Sequence, residues 1–258
     1  MGRLNSRGAC STWPIVDNIN NERCEGSVVV GGTELLLGKG IYSVGEAARL
    51  SRVSAGRIRR WLRGYRFATR TGVGASLPVW APEFPPIDGF LSLGFRDLLE
   101  VRFVDAFLCE GVSWPTIRKA AQRAREMFGD THPLSTQKFK TDGRDIFAEL
   151  RTRTTEPVVV ELVRRQQYFN QVISPYLRGV EFSGDSPVRW WPMGLHKGVV
   201  IDPARAFGQP IVNDRGVPTA VLAEAVRVVG SVDDVAHWYE VSERSVSQAV
   251  EYEKHLAA

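Results

Sequence analysis

Eight arginines (Arg49, Arg52, Arg57, Arg59, Arg60, Arg63, Arg66 and Arg70) fall within 22 residues with no acidic residue among them. So much like charge must stay in water or meet an anion, so the segment folds only if its apolar residues share one inward face. Val53, Ile58, Trp61, Leu62 and Tyr65 supply that face at helical spacing. Upstream, Ser43-x-x-Glu46 has the form of a capping box, which opens a short helix ending near Leu50. After the turn Ser51-Arg52-Val53, Ser54 is placed to cap a second helix to about Arg63, and Gly64 ends it. The expectation is two short helices joined by a tight turn, apolar inside and basic outside.

Arginine is the side chain best suited to bidentate contacts with guanine edges and phosphates. A helix-turn-helix puts the start of its second helix in the major groove. Here that start is Ser54-Ala55-Gly56-Arg57, small enough for close approach. Arg57 and Arg60, three apart, share a face and are assigned to bases. Arg59 and Arg63 lie on an adjoining face and, with Arg66 and Arg70 beyond the helix, are assigned to phosphates. Arg49 and Ser54 complete the expected DNA-binding set. The plainer alternative is a basic helix solvated on its outer side and held by Ile58, Trp61 and Leu62 as core.

The remaining pattern divides the chain at 38, 130 and 192. Residues 1–38 read as an arm with a short hairpin of Val28–Val30 and Leu35–Leu37. Residues 39–130 hold the basic helices, a loop or hairpin over 66–86, an apolar helix from Leu91 to Glu110, and a helix capped by Ser113 and ended by Gly129. The last is expected to carry Arg118, Lys119, Arg123 and Arg125 outward. Residues 131–192 read as a β-containing connection. It comprises a hairpin over Lys138–Leu150 turning at Asp142-Gly143, a helix over 158–177, and a hairpin of Val180–Phe182 with Val188–Trp191. Residues 193–258 read as a strand at Val199–Ile201 and helices near Thr219–Val229, Val232–Tyr239 and Ser242–Leu256. The fold class is therefore mainly α with small β elements, ending in a small helical domain.

Charge is divided between these parts. From Leu195 onward six Lys/Arg face nine Asp/Glu, a net of −3, leaving +7 for the first 194 residues. The front half suits nucleic acid, and the acidic final helices are repelled by phosphate. No apolar run approaches a membrane span, and the opening MGRLNSRGACSTWP lacks the apolar stretch of a secretory signal. Cytoplasmic residence and no membrane partner are expected. The four histidines and three cysteines show no metal-ligand spacing, so no metal and no cofactor are expected. Cys109 reads as a core residue of its helix, and Trp190-Trp191 as packing at a domain junction. No nucleophile–base motif stands out, which argues for binding over catalysis.

The run Ile41-Tyr42-Ser43-Val44-Gly45-Glu46-Ala47-Ala48-Arg49-Leu50, with Val53-Ser54 and Arg57-Ile58-Arg59-Arg60-Trp61, resembles the opening of MerR-type winged-helix regulators. Leu93-Gly94-Phe95-Arg96-Asp97-Leu98 and Gly111-Val112-Ser113 continue the likeness, although no long coiled-coil helix with an effector cysteine follows. Val200-Ile201-Asp202-Pro203, Phe207-Gly208-Gln209-Pro210-Ile211-Val212 and Gly216-Val217-Pro218-Thr219 resemble an antitoxin-type domain of VapB-like bacterial proteins. The order of the two is similar to a group of VapB-type antitoxins.

That resemblance implies a homodimeric type II antitoxin that binds operator DNA, represses its own operon and neutralises a co-expressed toxin. By analogy with VapB pairs, the toxin would be a PIN-type ribonuclease. Phe207, Pro210, Val217, Pro218, Trp238, Tyr239, Val246 and Val250 are the expected dimer or toxin contacts. Two other readings stay open: a MerR-like regulator answering to a small molecule, with an aromatic pocket near Trp190, Trp191 and Phe207, and a module whose basic helix binds an acidic protein.

Overall fold

The capping box forms as its residues dictate. The Ser43 hydroxyl accepts from the Glu46 amide at 3.2 Å, and the Glu46 carboxylate accepts from the Ser43 amide at 2.8 Å. They open α1 (Val44–Ser51) directly after the two-residue strand β1 (Tyr42–Ser43). The structure is a computed structural model that describes residues 38–70, 72–151, 172, 175–195 and 197–257. The expected N-terminal arm and hairpin, and most of the helix expected over 158–177, lie outside the described residues.

The turn after α1 passes through Arg52, whose backbone is left-handed at φ 61°, and α2 (Ala55–Arg63) follows. Ser54 occupies the N-cap position but caps with no side-chain bond; its carbonyl accepts from Arg57 and Ile58 instead. Ile58, Trp61 and Leu62 are buried and Tyr65 half-buried. A hairpin then forms from β2 (Tyr65–Thr69) and β3 (Gly72–Ser76). Gly64, between α2 and β2, has φ 72° and ψ −177°, a region that L side chains avoid, and a Cβ there would collide with the Ser76 carbonyl oxygen. Gly64→Ala is expected to lower stability by about 1–2 kcal/mol, read as a shift in urea midpoint at unchanged slope.

The apolar stretch expected as a helix from Leu91 begins with β4 (Ser92–Leu93), which pairs with β1 through Tyr42–Leu93 and Ser43–Ser92. The helix itself, α3 (Phe95–Cys109), starts four residues later than expected, because the Asp97 carboxylate accepts from the Gly94 amide and fixes the start there. It is buried on nearly every side, as a central helix must be. Cys109, expected in the core, is instead exposed at its last turn, 3.8 Å from the Asp105 carboxylate. Next comes α4 (Trp114–Phe128), capped by the Ser113 hydroxyl and ended by left-handed Gly129.

The expected hairpin over Lys138–Leu150 is a helix, α5 (Gln137–Arg151). Phe139, Gly143, Ile146, Phe147 and Leu150 form one buried stripe at helical spacing, while Asp142 faces out. Packing of that stripe on the rings of Phe103 and Phe107 overrides the turn preference of Asp142-Gly143. Downstream, β5 (Val180–Ser183) and β6 (Ser186–Trp190) make the expected hairpin. With β7 (Val199–Ile201) and β8 (Pro210–Val212) they form an antiparallel sheet in the order β5-β6-β7-β8. Strands from both sides of Trp191-Pro192 thus share one sheet, with Trp190 opposite Ile201. Trp190 and Trp191 are buried in it. Three helices close the chain: α6 (Thr219–Val229), α7 (Val232–Trp238) and α8 (Glu243–Ala257). They surround a second small core of Val212, Leu222, Val235, Val241, Val246 and Ala249.

Beneath β4 and α3 lies a buried polar hub. Asp97, 0 % exposed, accepts from Trp80 Nε1 at 2.7 Å, the Glu83 amide at 2.9 Å and the Gly94 amide at 2.8 Å, and pairs with His132 Nε2 at 2.9 Å. One turn on, Glu100, also 0 % exposed, accepts from the Leu134 amide at 2.9 Å. Arg96 bonds to Asp130 at 2.7 Å and the His132 carbonyl at 2.8 Å. The hub ties the segment over 80–83 and the turn over 130–135 to α3. Its titration is set by burial and neighbours. Burial pushes Glu100 up to about 7, against the pull of His132. His132 is raised above its ordinary value: burial opposes, and the bond to Asp97 with the charges of Glu100 and Asp97 prevails.

Candidate nucleic-acid interface

The fold sorts the eight arginines into two groups. Arg59, Arg60 and Arg63 stand exposed on the outer face of α2, with Arg66 and Arg70 exposed on the adjoining hairpin. None of these five has a carboxylate partner among the described residues; Arg60 makes only a 3.4 Å bond to the Gly56 carbonyl within its own helix. The other three turn to the protein. Arg49 pairs with Glu253 at 3.6 Å and Arg52 donates to the His255 carbonyl at 2.7 Å, both on α8. Arg57 pairs with Asp105 of α3 at 2.7 Å and lies over the Trp61 ring at 5.0 Å. Burial holds Asp105 above the usual carboxylate range even beside Arg57. Arg57 and Arg60 share a face by spacing, but only Arg60 presents its charge outward. Ser54 is exposed at the start of α2.

The hairpin is fastened at its base. Arg118 of α4 bonds to the Ser76 hydroxyl at 2.6 Å and to the Leu77 carbonyl, and Trp114 Nε1 donates to the same hydroxyl at 3.1 Å. The rings of Trp61 and Trp114 stack at 5.8 Å, joining α2 to α4. Arg125 donates to the Val79 carbonyl at 3.2 Å, and Arg123 pairs with Glu149 at 2.7 Å. Three of the four basic residues expected on the outside of α4 are therefore occupied within the fold, and Lys119 alone of them is exposed without a partner among the described residues. Asp105, Glu253, Trp114 and Arg118 were missed by sequence reasoning as determinants of this surface. The only sequence sign of Asp105 is an acid inside an apolar helix.

The expected contact residues also divide. Phe207 and Trp238 are 62 % and 63 % exposed, whereas Val217, Pro218, Tyr239 and Val250 are half-buried. Pro210 and Val246 are instead packed inside the chain, Pro210 in β8 and Val246 in the core under α8. Phe207 is displayed on a strained turn: Ala206 and Phe207 have φ of 46° and 53°. The Tyr42 hydroxyl donates to the Gly208 carbonyl at 2.9 Å and the Ile41 amide to the Phe207 carbonyl at 3.0 Å, holding the turn against β1. No helix among the described residues is long and apolar enough to cross a membrane.

Residues 199–252 match a family described as a protein of unknown function, DUF433. Over 223 residues the chain is 26 % identical to the Mycobacterium tuberculosis (strain ATCC 25618 / H37Rv) protein named "Putative antitoxin VapB45", covering 82 % of this chain and 92 % of that one. It also shares the fold of the crystal structure of Rv2018 from Mycobacterium tuberculosis, with a TM-score of 0.63 at 24 % identity over 81 % of this chain and 96 % of that chain.

Proposed function

We propose that the chain is a cytoplasmic antitoxin of a type II toxin–antitoxin system, acting by binding rather than catalysis. In this reading α1, α2 and the β2–β3 hairpin are a MerR-like winged helix-turn-helix that binds operator DNA and represses its own operon. The observation that carries the DNA part is the group of exposed arginines on α2 and the hairpin, which lack counter-charge among the described residues. Arg59, Arg63, Arg66 and Arg70 would meet phosphates, and Arg60 bases. Arg57 would position α2 through Asp105. The toxin part is supported by the likeness to the mycobacterial relative. Phe207 and Trp238, large and exposed, would serve the homodimer or the toxin.

Titration of the chain with DNA upstream of its own gene tests the first part. Arg59→Ala with Arg63→Ala is expected to weaken binding about tenfold or more, and to flatten the log-affinity against log-salt slope by about 2. Unchanged affinity and slope would remove these residues from the interface. The second part is tested by co-expression with the neighbouring genes of the native locus. A small protein that elutes with the tagged chain at stoichiometric yield, and is toxic when expressed alone, is the expected result. Elution of the chain by itself would overturn the antitoxin reading while leaving the DNA result standing.

A further inference from the structure

A cleft of about 860 Å³ opens between α1, α3, β6 and α8, within the usual volume of a small-molecule site. Arg102 of α3 lies in its wall. Its guanidinium stacks 3.9 Å over the Trp190 ring and donates to the Tyr176 carbonyl at 2.9 Å. No carboxylate among the described residues lies within ion-pair distance of it. Burial pushes its pKa down to about 10, the direction expected of a desolvated cation without a counter-charge.

Tyr252 of α8 lines the same cleft at 2 % exposure, and its buried hydroxyl has no hydrogen-bond partner among the described residues. A buried polar group left unbonded calls for a reason, and here it shares the lining of one cleft with Arg102. Arg52 and Lys254 add positive charge to the lining. Of the acids that line the cleft, Asp105 is paired with Arg57, and Glu251 is exposed on α8.

We propose that this cleft binds a small organic carboxylate, its anionic end on Arg102 and the Tyr252 hydroxyl and its apolar body against Trp190. A planar guanidinium and a phenol are a donor pair fitted to two carboxylate oxygens. Asp105, one turn along α3 from Arg102, lines the cleft and also holds Arg57, so the cleft and α2 share a wall residue. The assignment does not depend on DNA or toxin binding.

Calorimetric titration of the full chain with phenylacetate, indole-3-carboxylate and octanoate tests it, each beside its neutral amide. At least one carboxylate is expected to bind saturably, one per chain, and its amide about tenfold or more weaker. Tyr252→Phe, which removes only the hydroxyl, is expected to weaken that binding about threefold to tenfold. Arg102→Met is expected to abolish it, and Arg102→Lys, which keeps the charge if the stack is needed for folding, to retain part. The proposal is overturned if no carboxylate binds at about 10 mM, if amides bind as well as acids, or if Tyr252→Phe and Arg102→Lys both bind like the parent chain.

Discussion

Replacing Asp97 by alanine is expected to cost the fold about 3–5 kcal/mol, read as a fall in the urea midpoint of the full chain. The carboxylate is fully buried and serves four partners from four places in the sequence: Trp80, Glu83, Gly94 and His132. Alanine would leave the buried Trp80 indole N–H and Gly94 amide and the part-buried Glu83 amide without acceptors, each buried donor costing about 1–3 kcal/mol before relaxation. It would also strip the raised His132 of its nearest negative charge. Relaxation that admits water lowers the total, which is why the expected figure lies below the sum. Asp97→Asn keeps the shape but turns an NH2 toward donors, so a loss of about 2–3 kcal/mol is expected there. Hydrogen exchange should show where the loss falls, with protection of the Glu83 and Gly94 amides lost first. A loss under about 1 kcal/mol for alanine would mean that the hub does not hold the 80–83 segment to α3.

The difference between what could and could not be read from the sequence follows the range of the interactions. The capping box at Ser43 and Glu46, the stop at Gly64 and the buried stripe of Ile58, Trp61 and Leu62 are local, and the sequence shows them because partners sit within a turn or two. The same holds for the β5–β6 hairpin and the three closing helices. Asp142-Gly143 misled because its turn preference is also local, whereas the stripe of Phe139, Ile146, Phe147 and Leu150 prevails through packing on α3. The arginine cluster was legible as a cluster but not as a surface. Arg49, Arg52 and Arg57 are engaged by Glu253, His255 and Asp105, the first two while still exposed, and nothing in residues 49–70 announces those groups. The Asp97 hub and the cleft at Arg102 are assembled from distant segments, and for them the sequence shows only acids and an arginine in an apolar helix.

Raising the pH from 5 to 8 is expected to destabilise the chain, and Glu100→Gln to remove most of that dependence. Glu100 has an ordinary value of 4.5 and is held at about 7 by burial, with one carboxylate oxygen lacking any hydrogen-bond partner among the described residues. Below 4.5 both folded and unfolded chains keep the proton and nothing is lost. Between 4.5 and about 7 only the folded chain keeps it, so stability falls as pH rises; above that the whole cost is present. His132 acts in the same sense: its stabilisation is complete below 6.5 and is lost as pH rises through its raised value. The lowered Asp130 works oppositely, but only as pH falls through values under 3.8, outside this window. A neutral amide at position 100 ionises at no pH in the range. At pH 8 Glu100→Gln is therefore expected to be the more stable chain by up to about 3 kcal/mol, the free energy of the shift from 4.5 to about 7. At pH 5 the gap should shrink to under about 1 kcal/mol. Urea midpoints at pH 5, 6.5 and 8 decide it, and the residual slope in the variant reports the other raised groups, His132, Glu83 and Asp105. Parallel decline of both chains would assign the effect to the other raised groups in place of Glu100, and a parent chain more stable at pH 8 than at pH 5 would show that Glu100 ionises in the fold without cost.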